Sequence, residues 1–444
     1  MHPLELSSQD LKSMLRLSGD KLGRFLDTLP EQPMARLDGS RKLARRMDEP
    51  CPTEGEPFAR LLARIVDHVT PISLNCASGG YLAFVPGGGL PHAAVADLIS
   101  GVINRYTGIW MPAPGWVQLE ISVIRWMCEW VGFGPDAGGV LTSGGSLANL
   151  QALVAARDAG AQVVYATALT HHCVAKSAHV VGLPVVEVPM DAAFRMDPTQ
   201  IPSRPGVVVA SAGTTSVGSV DPLPQLAEVC TRYGHWLHVD GAYGGCFVLT
   251  ERGRAVLEGL DRADSIVLDP HKGLFLPYGT GALLVKDRER LRKAFTLAAN
   301  YMPKPSDNED FWDFHDLGPE LSRPARGLRL WLPLKMHGVG AFSDALDEKL
   351  DLARQAHEGL AALPVVEMVT GCPLSLFAFR VRDDETTRRV LRAVNERQRV
   401  FLTGATLPDG RFVGRVCVLS FRTHQQHIDA LLEDLEAAIR EETS

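Results

Sequence analysis

The chain has 444 residues, of which 45% are hydrophobic and 22% are charged, and its formal net charge is −7. These values are typical of a globular protein of two or three domains, and they exclude a disordered chain, a collagen-like chain and a disulfide-stapled miniprotein. Because the charge balance is mildly acidic and no basic stripe is present, neither nucleic acid nor an anionic membrane surface is expected as a partner.

The cysteines and the N-terminus bear on localisation. The eight cysteines are scattered without a C-x-x-C pair, which favours reduced thiols in a cytoplasmic protein and gives no zinc-ligand spacing. The first residues lack the basic head and apolar core of a secretory signal, and no apolar run reaches the roughly 18 residues of a membrane span. We therefore predict a cytoplasmic protein that binds no metal and no membrane.

Residues 1–75 predict a helical segment, because LKSMLRL and FARLLARIVDHV carry apolar residues at three- and four-residue spacing. A segment of this kind buries little by itself, so we expect it to pack on another surface, such as a second subunit. Residues 76–325 are assigned to a large domain and residues 326–444 to a small one.

The large domain is expected to be α/β. Short apolar runs alternate with helical runs such as 146–159 and 223–234, and most of these runs are apolar throughout, as strands covered on both faces are. The predicted strands are 138–142, 162–166, 184–188, 206–212, 235–240, 264–268 and 281–286. This order predicts a mostly parallel, doubly wound sheet of seven strands. In the small domain, strands at 375–381 and 411–421 and two amphipathic helices predict an α+β fold.

The segment LTSGGSLANLQAL places two glycines and two serines between a strand and a helix. Backbone N–H groups in such a turn can face an anion, and the N-terminus of the following helix adds its positive dipole end. The segment therefore predicts a phosphate cradle at Gly144, Gly145 and Ser146. A structural turn before a helix is the alternative interpretation.

Two further segments carry charged groups at strand ends. HWLHVDGAYGG places Asp240 at the carboxyl end of an apolar strand, where open α/β sheets bind ligands, with Ala242 on the same side. DPHKG places Lys272 after His271 in a turn with mostly apolar surroundings, where desolvation lowers the pKa of an amine and allows it to form an imine. A carboxylate that caps a helix or binds a metal, and a solvated loop lysine, are the alternatives.

Together these groups are the parts that hold pyridoxal 5′-phosphate (PLP). The lysine joins the cofactor aldehyde, and the carboxylate pairs with the pyridine nitrogen, which keeps the ring an electron sink. Thr214 and Thr215 in SAGTTSVGSVDP suit the phosphate or the ring hydroxyl, and His171 in THHCVAKSAH suits stacking on the ring.

The motifs HVDGAYGG, DPHKG, THHCVAKSA and SAGTTSVGSVDPL resemble those of the group II PLP-dependent amino acid decarboxylases, the aromatic L-amino acid decarboxylases above all. The resemblance covers nearly the whole chain. It implies a fold type I homodimer whose N-terminal helices pack across the interface. It also implies a Schiff-base lysine at Lys272, a ring-nitrogen partner at Asp240, ring-face contacts from Ala242 and His171, and a phosphate site formed by Gly145, Ser146, Thr215, Ser265 and His271.

The resemblance assigns the substrate side to both subunits. Phe84 and Val85 match a substrate-side loop, and residues 101–114 match a segment that is borrowed from the neighbouring subunit. Phe84, Tyr106 and Trp110 favour an aromatic substrate. Gly108 stands where the family carries a bulky residue, which predicts an enlarged or reshaped pocket.

The sequence departs from the family at two places that affect the chemistry. Asp269 replaces an asparagine, and a second acid beside a phosphate is unfavourable unless it points away or binds a donor. Phe314 falls at the position of a lid tyrosine that supplies a proton, and phenylalanine has none to give, so His315 and Tyr301 are the substitute acids. Arg422 is expected to be a substrate-carboxylate clamp or part of a structural salt bridge.

These features predict decarboxylation of an L-amino acid to an amine and CO2, with an aromatic substrate favoured. The alternative is decarboxylation-dependent oxidative deamination to an aldehyde, because phenylalanine at the position of Phe314 is associated with aldehyde synthases in plant relatives. An aminotransferase and a catalytically inactive relative are the remaining alternatives.

Overall fold

The central sheet has seven strands in the order β1-β7-β6-β5-β4-β2-β3 in the computed structural model, which describes residues 2, 4–296 and 311–443. All are parallel except β7, which runs antiparallel to its neighbours β1 and β6. The strands are β1 (Gly138–Thr142), β2 (Val164–Ala166), β3 (Val185–Glu187), β4 (Val207–Ser211), β5 (Trp236–Gly241), β6 (Ser265–Leu268) and β7 (Gly281–Val285). The predicted mostly parallel sheet is confirmed, and each predicted strand lies within two residues of an observed one.

Helices cover both faces of this sheet, and the apolar composition of its strands follows from that cover. Every residue of β1, β4 and β7 is buried, whereas the edge strand β3 is exposed. The helices up to the end of this sheet are α1 (Ser8–Thr28), α2 (Ser40–Met47), α3 (Phe58–Ala63), α4 (Pro91–Ile103), α5 (Pro114–Trp130), α6 (Gly145–Asp158), α7 (His172–Val181), α8 (Leu223–Tyr233), α9 (Glu251–Val256), α10 (Pro270–Gly273) and α11 (Arg288–Phe295). A π-helical turn, Arg64–Val69, continues α3.

A second, antiparallel sheet in the order β10-β11-β9-β8 forms the C-terminal part. It comprises β8 (Val366–Met368), β9 (Leu376–Val381), β10 (Thr403–Thr406) and β11 (Phe412–Cys417), with α12 (Gly327–Ala361), α13 (Asp384–Glu396) and α14 (Gln425–Thr443). The small α+β fold is therefore confirmed. The boundary predicted at residue 326 lies one residue before α12 and stays a prediction.

Helix α12 bends at Gly338, whose backbone has φ 72° and ψ 160°. Its first half packs into the core of the large sheet through residues such as Leu330 and Leu334, and its last turns pack into the core of the small sheet through Leu352 and Leu360. The helix therefore connects the two cores. In the part of the chain that the structure describes, no helix combines the length and the apolar character that crossing a membrane requires.

A buried ion pair holds the segment before α12 against the central sheet. Arg323 donates to Glu120 of α5, and both side chains are 1% exposed. The same guanidinium donates to the carbonyl oxygen of Leu141 in β1 at 3.0 Å, and Arg326 donates to that oxygen at 3.1 Å. Because charges are costly to bury alone, each side chain of this pair depends on the other.

We expect the Glu120→Gln substitution to lower the free energy of unfolding by about 3 kcal/mol, because it leaves the Arg323 cation buried without its counter-ion. Urea denaturation followed by circular dichroism measures this loss. The matched control is Glu129→Gln on the exposed face of α5, which should change the stability by less than about 0.5 kcal/mol. Equal stability of the two variants would contradict a stabilising role for the pair.

Candidate active site

A cavity of about 390 Å³ opens at the carboxyl ends of the strands of the central sheet. This is the edge at which open α/β sheets bind ligands, because the loops after parallel strands meet there. The cavity brings together ten of the residues predicted for the site, namely Gly144, Gly145, Ser146, His171, Thr214, Thr215, Asp240, Ala242, His271 and Lys272. Its volume is in the range of small-molecule and cofactor sites.

The loop between β1 and α6 forms one wall of the cavity. Gly144 begins α6 with φ 153°, a backbone conformation that L side chains rarely adopt, and no side chain caps this helix end. The first N–H groups of α6 are therefore left to bind an anion at the positive end of the helix dipole. A Cβ added to Gly145 would lie 3.0 Å from a carboxylate oxygen of Asp269, so the cradle depends on glycine there.

Lys272 lies in the short helix α10, opposite the cradle, and pairs with a carboxylate. Its Nζ is 2.9 Å from Oδ2 of Asp269, a residue that is only 2% exposed. Burial acts to lower the pKa of Lys272, but the charge and hydrogen bond of Asp269, together with the charge of Asp240, outweigh it and raise the pKa. The amine is therefore held as a cation before any cofactor joins it.

Asp269 also faces His271, whose Nε2 lies 3.6 Å from its Oδ2. Nδ1 of His271 is 2.6 Å from the carbonyl oxygen of Thr280, which fixes the ring, and burial lowers the pKa of this imidazole. The other oxygen of Asp269, Oδ1, is buried and has no hydrogen-bond partner among the described residues. Asp269 thus binds a donor. From the sequence, an acid is tolerated at this position if it binds a donor or points away from the phosphate.

Asp240 lies near the end of β5, and each of its carboxylate oxygens accepts one hydrogen bond. Oδ1 accepts from the backbone N–H of Ala242 at 3.1 Å, and Oδ2 accepts from Nδ2 of Asn149 at 3.3 Å. These two hydrogen bonds orient the carboxylate and leave lone pairs free for a further donor in the cavity. Asn149 was not singled out from the sequence, although it follows the cradle motif by three residues.

His171 precedes α7 and accepts a hydrogen bond on Nδ1 from the N–H of Cys173 at 3.3 Å. Burial lowers the pKa of His171, against the opposing charge of Asp240, and burial raises the pKa of the Cys173 thiol to about 12. The imidazole is therefore neutral and the thiol protonated near neutral pH. A neutral, fixed imidazole ring suits stacking better than proton exchange.

The phosphate contact expected from Ser265 is corrected by the structure. Ser265 begins β6, whereas the cavity lies beyond the opposite end of that strand. Its hydroxyl is buried and bonds to Nε1 of Trp236 at 2.8 Å and to Nδ1 of His238 at 2.7 Å. Thr214 and Thr215 do line the cavity, and the hydroxyl of Thr214 is 3.0 Å from that of Ser219.

The substrate-side residues lie outside this cavity. The peptide N–H of Phe84 faces the hydroxyl of Thr403 at 3.5 Å, its ring is exposed, and Val85 is buried in the core. The segment that contains Tyr106 and Trp110 packs instead against residues 311–321. Tyr106 donates to the carbonyl oxygen of Leu321 at 3.2 Å, and the Trp110 ring stacks on Phe311 with centroids 4.2 Å apart.

The expected enlargement at Gly108 is absent from the described structure. A Cβ added there would lie 2.4 Å from the carbonyl oxygen of Leu321 and 2.7 Å from the hydroxyl of Tyr106. The space that a larger side chain would occupy is therefore already filled. Gly108 permits close packing of two chain segments and does not open a pocket within this protomer.

The lid residues were predicted to belong to a loop that closes over the site, and the structure describes two of the three. Phe314 is 1% exposed in a 3₁₀ turn, with the guanidinium of Arg323 4.6 Å from its ring centroid. His315 donates its backbone N–H to the carbonyl oxygen of Gly108 at 3.0 Å, and its Nε2 lies 3.3 Å from Asp316. Neither lines the cavity formed by the described residues. Tyr301 lies outside the described residues.

In the described structure Arg422 forms neither the substrate-carboxylate clamp nor the salt bridge that the sequence suggested. Its guanidinium donates to the carbonyl oxygens of Ala77 and Gly88, and it stacks over the ring of Phe421. It has no carboxylate partner among the described residues and does not line the cavity. Sequence reasoning also missed Tyr278, an exposed tyrosine at the cavity rim that lies six residues after Lys272.

The pyridoxal-dependent decarboxylase conserved domain matches residues 41–382. The chain belongs to the pyridoxal-dependent decarboxylase family. It is 30% identical to an aromatic-L-amino-acid decarboxylase of Bacillus atrophaeus, over 99% of this chain and 97% of the relative. It is 25% identical to a 4-hydroxyphenylacetaldehyde synthase of Rhodiola rosea, over 97% of this chain and 94% of the relative. A crystal structure of Oryza sativa TDC with PLP and tryptamine superposes with a TM-score of 0.92 at 24% identity, covering 100% of both chains, so the fold is shared.

As a member of this decarboxylase family the chain is a PLP-dependent enzyme that removes the carboxylate of an amino acid. The residues of the cavity fit the cofactor on their own chemistry. The amine of Lys272 lies near two carboxylates. The uncapped end of α6, with Gly144 before it and Gly145 as its first residue, can hold a phosphate. Asp240 has an oxygen free to accept a hydrogen bond from a ring N–H. Within the described part of the chain, His, Cys, Asp and Glu side chains form no group of three that could hold a metal ion.

Asp269 should slow the uptake of PLP, because it keeps Lys272 protonated and adds negative charge beside the phosphate cradle. We expect Asp269→Asn to raise the rate of PLP incorporation into apoenzyme about tenfold at pH 7, since one lost charge partner lowers an amine pKa by about one unit. The gain should persist at pH 9, because the pKa of Lys272 is raised above its ordinary value and the wild-type amine is still protonated there.

Stopped-flow absorbance of the apoenzyme mixed with PLP measures these rates. Asp287→Asn, which makes the same change of charge at the exposed N-terminus of α11, is the control and should leave the rate unchanged. A slower Asp269→Asn variant, or a gain that is lost at pH 9, would show that Asp269 affects cofactor uptake in another way.

Proposed function

We propose that this enzyme decarboxylates an aromatic L-amino acid to the corresponding amine and CO2. The observation that carries the proposal is that Lys272, Asp240 and the uncapped end of α6 face one cavity at the carboxyl edge of the sheet. The aromatic class is supported by the name of the Bacillus atrophaeus relative, an aromatic-L-amino-acid decarboxylase.

Each cavity residue is given one task in this proposal. Lys272 holds the cofactor covalently until the substrate amine replaces it, and the N–H groups at Gly145 and Ser146 hold the phosphate. Asp240 would accept a hydrogen bond from the protonated ring nitrogen, and His171 and Ala242 would pack on the two faces of the ring. The bound cofactor supplies an electron sink for the bond between the α-carbon and the carboxylate. The protein orients that bond and then returns a proton to the α-carbon.

The proposed assembly is a homodimer, which the N-terminal region supports. None of the 21 residues of α1, all of which are described, is buried, although this helix carries Leu15, Leu22 and Leu26. Helix α4 exposes a second apolar group, Val95, Leu98, Ile99, Val102 and Ile103. Apolar surface of this extent on two helices is typical of an interface. A second copy that covers α4 would also meet the segment 101–114 that follows it.

His315 is our candidate for the residue that returns the proton, and we propose that it acts in the site of the neighbouring subunit. The contact between its N–H and the carbonyl oxygen of Gly108 ties it to the segment 101–114. In a dimer, His315 would therefore lie in the same active site as that segment. Asp316, 3.3 Å from Nε2, is placed to orient the imidazole, and histidine is the side chain that most often transfers protons in enzymes.

Formation of an aldehyde is the second candidate function, and one observation favours it. Phe314 carries no acidic proton and is packed under Arg323, 1% exposed, and the relatives include a 4-hydroxyphenylacetaldehyde synthase. If protonation is slow, molecular oxygen competes for the electron-rich carbon. The amine would then be replaced by aldehyde, ammonia and peroxide.

The remaining proposals concern organisation and localisation. We propose residues 1–75 as a dimerisation segment, residues 76–325 as the cofactor domain and residues 326–444 as the small domain. The cytoplasm is the proposed compartment, supported by eight free cysteines, five of them buried.

Incubation with phenylalanine, tyrosine, tryptophan and 3,4-dihydroxyphenylalanine tests the reaction. We expect at least one to give the amine with one equivalent of CO2, at the same rate with and without oxygen, because the proton comes from the protein. Mass spectrometry of the products and a peroxide assay make the measurement. Glutamate is the control substrate. Stoichiometric aldehyde and peroxide that disappear under nitrogen would establish the second candidate function instead.

Mixing inactive variants tests the shared site. Lys272→Ala and His315→Ala chains, unfolded together and refolded, should recover about a quarter of the wild-type activity, because half of the random dimers then carry one intact site. The control mixture, Lys272→Ala with Asp240→Ala, should recover none, since both lesions lie in the same protomer's cavity. Recovery by neither mixture would place His315 in the site of its own chain, and full activity of His315→Ala alone would exclude it as the acid.

A further inference from the structure

A chain of hydrogen bonds runs through the interior of the sheet to the carboxylate of Asp240. Trp236 Nε1 is 2.8 Å from Oγ of Ser265, and this Oγ is 2.7 Å from Nδ1 of His238. Nε2 of His238 is 3.0 Å from Oδ1 of Asn149, whose Nδ2 is 3.3 Å from Oδ2 of Asp240. Five side chains from α6, β5 and β6 are thus linked in one line that ends in the cavity.

The direction of every bond in this line is fixed by its two ends together with the neutral His238 ring, whose pKa burial lowers to about 4. The indole N–H of Trp236 can only donate, and the carbonyl oxygen of Gly145, which lies 2.9 Å from Nδ2 of Asn149, can only accept. The amide nitrogen of Asn149 therefore faces Gly145 and Asp240, and its oxygen faces His238. It follows that His238 carries its proton on Nε2, while its Nδ1 accepts from the hydroxyl of Ser265.

The side chains of this line are shielded from water, so the loss of any one hydrogen bond is costly in free energy. His238 and Ser265 are 0% exposed and Asn149 is 1% exposed. Burial lowers the pKa of His238 to about 4, so the ring is neutral near pH 7, as the assigned tautomer requires. Where no water can replace a lost partner, removal of one member leaves its neighbour unsatisfied.

The consequence for Asp240 is an oriented carboxylate. Asn149 donates to one oxygen and the N–H of Ala242 to the other, so the carboxylate plane cannot rotate without losing a bond. A further donor in the cavity then meets an acceptor of fixed position.

We propose that Asn149 and His238 are positioning residues for Asp240, and that they act through it to keep the proton on the pyridine nitrogen of the cofactor. The inference rests on the proposed role of Asp240. His238 acts only through Asn149, whose amide it holds in the orientation that directs the donor to Asp240. Neither residue is required to touch the substrate.

A cofactor analogue isolates this effect from general stability. In the analogue, carbon replaces the ring nitrogen of pyridoxal 5′-phosphate, so Asp240 has no N–H to accept. Dissociation constants for both molecules are measured by titration of apoenzyme, with no catalytic turnover involved. Wild-type apoenzyme should prefer the natural cofactor by about tenfold or more, as expected for a hydrogen bond between charged groups.

The Asn149→Leu variant keeps the branched shape of the side chain but neither donates nor accepts. Its affinity for the natural cofactor should fall about tenfold, and its affinity for the analogue should change by less than about twofold, because the lost bond acts only through the ring nitrogen. An equal loss for both molecules, or no loss for either, would overturn the proposal and leave Asn149 a purely structural residue.

Three further variants keep the test decisive if Asn149→Leu does not fold. His238→Gln retains an N–H toward Asn149 and should keep the wild-type preference, whereas His238→Leu should lose most of it. Trp236→Phe removes only the distant end of the line and should lower the thermal stability of apoenzyme without changing the preference. Loss of preference in Trp236→Phe and His238→Gln alike would contradict the proposed direction of the line.

The failure of this inference is separable from the failure of the proposed function. If wild type and Asp240→Asn bind both molecules equally well, Asp240 is not the partner of the ring nitrogen, and the site assignment fails with the inference. If Asp240→Asn loses the preference but Asn149→Leu keeps it in full, the site assignment stands and only the positioning role is wrong.

Discussion

The ion pair between Lys272 and Asp269 is the interaction around which the cavity is arranged. A lysine that is to form an imine must be shielded from water, and an amine shielded without a partner loses its proton or destabilises the fold. Asp269, itself 2% exposed, compensates the amine at 2.9 Å. The arrangement therefore stabilises the apoprotein and opposes the neutral amine that must react with an aldehyde. The contact between Lys272 and Asp269 therefore affects both the stability of the apoprotein and the reactivity of the amine toward the cofactor.

The same cavity separates positive and negative charge on a scale of a few ångströms. The N-terminus of α6 presents N–H groups to the cavity, and Asp269 beside this helix end is paired with Lys272, whereas Asp240 faces the cavity from the end of β5. A molecule with an anionic end and a basic ring nitrogen at its other end fits this field in only one orientation. Orientation matters because only a bond perpendicular to the ring delivers its electrons to the ring. The sheet topology brings these loops to one edge, where open α/β sheets bind ligands.

Much of the fold could be predicted because the strands are buried on both faces and their composition shows it. The cavity residues could also be predicted, since short motifs at strand ends such as those containing Asp240 and Lys272 carry their chemistry in a few letters. Ser265 could not be placed from its motif, because it lies at the opposite end of a four-residue strand from the cavity. Asn149 was missed because helix periodicity marks it only as a buried position, and its partners come from two distant strands.

The residues that were hardest to predict are those whose surroundings come from two separate parts of the chain. Gly108 suggested an open pocket from its size alone, yet its space is filled by the carbonyl oxygen of Leu321, more than two hundred residues away. Phe314 suggested a missing proton donor beside the lysine, yet it is packed under Arg323 and held by the network around Glu120. Both residues belong to one layer that joins residues 101–114 to residues 311–326 on the outside of the cavity. The residues that line the cavity come from one protomer, whereas in the proposed dimer the proton is returned by a layer that meets its target only through assembly.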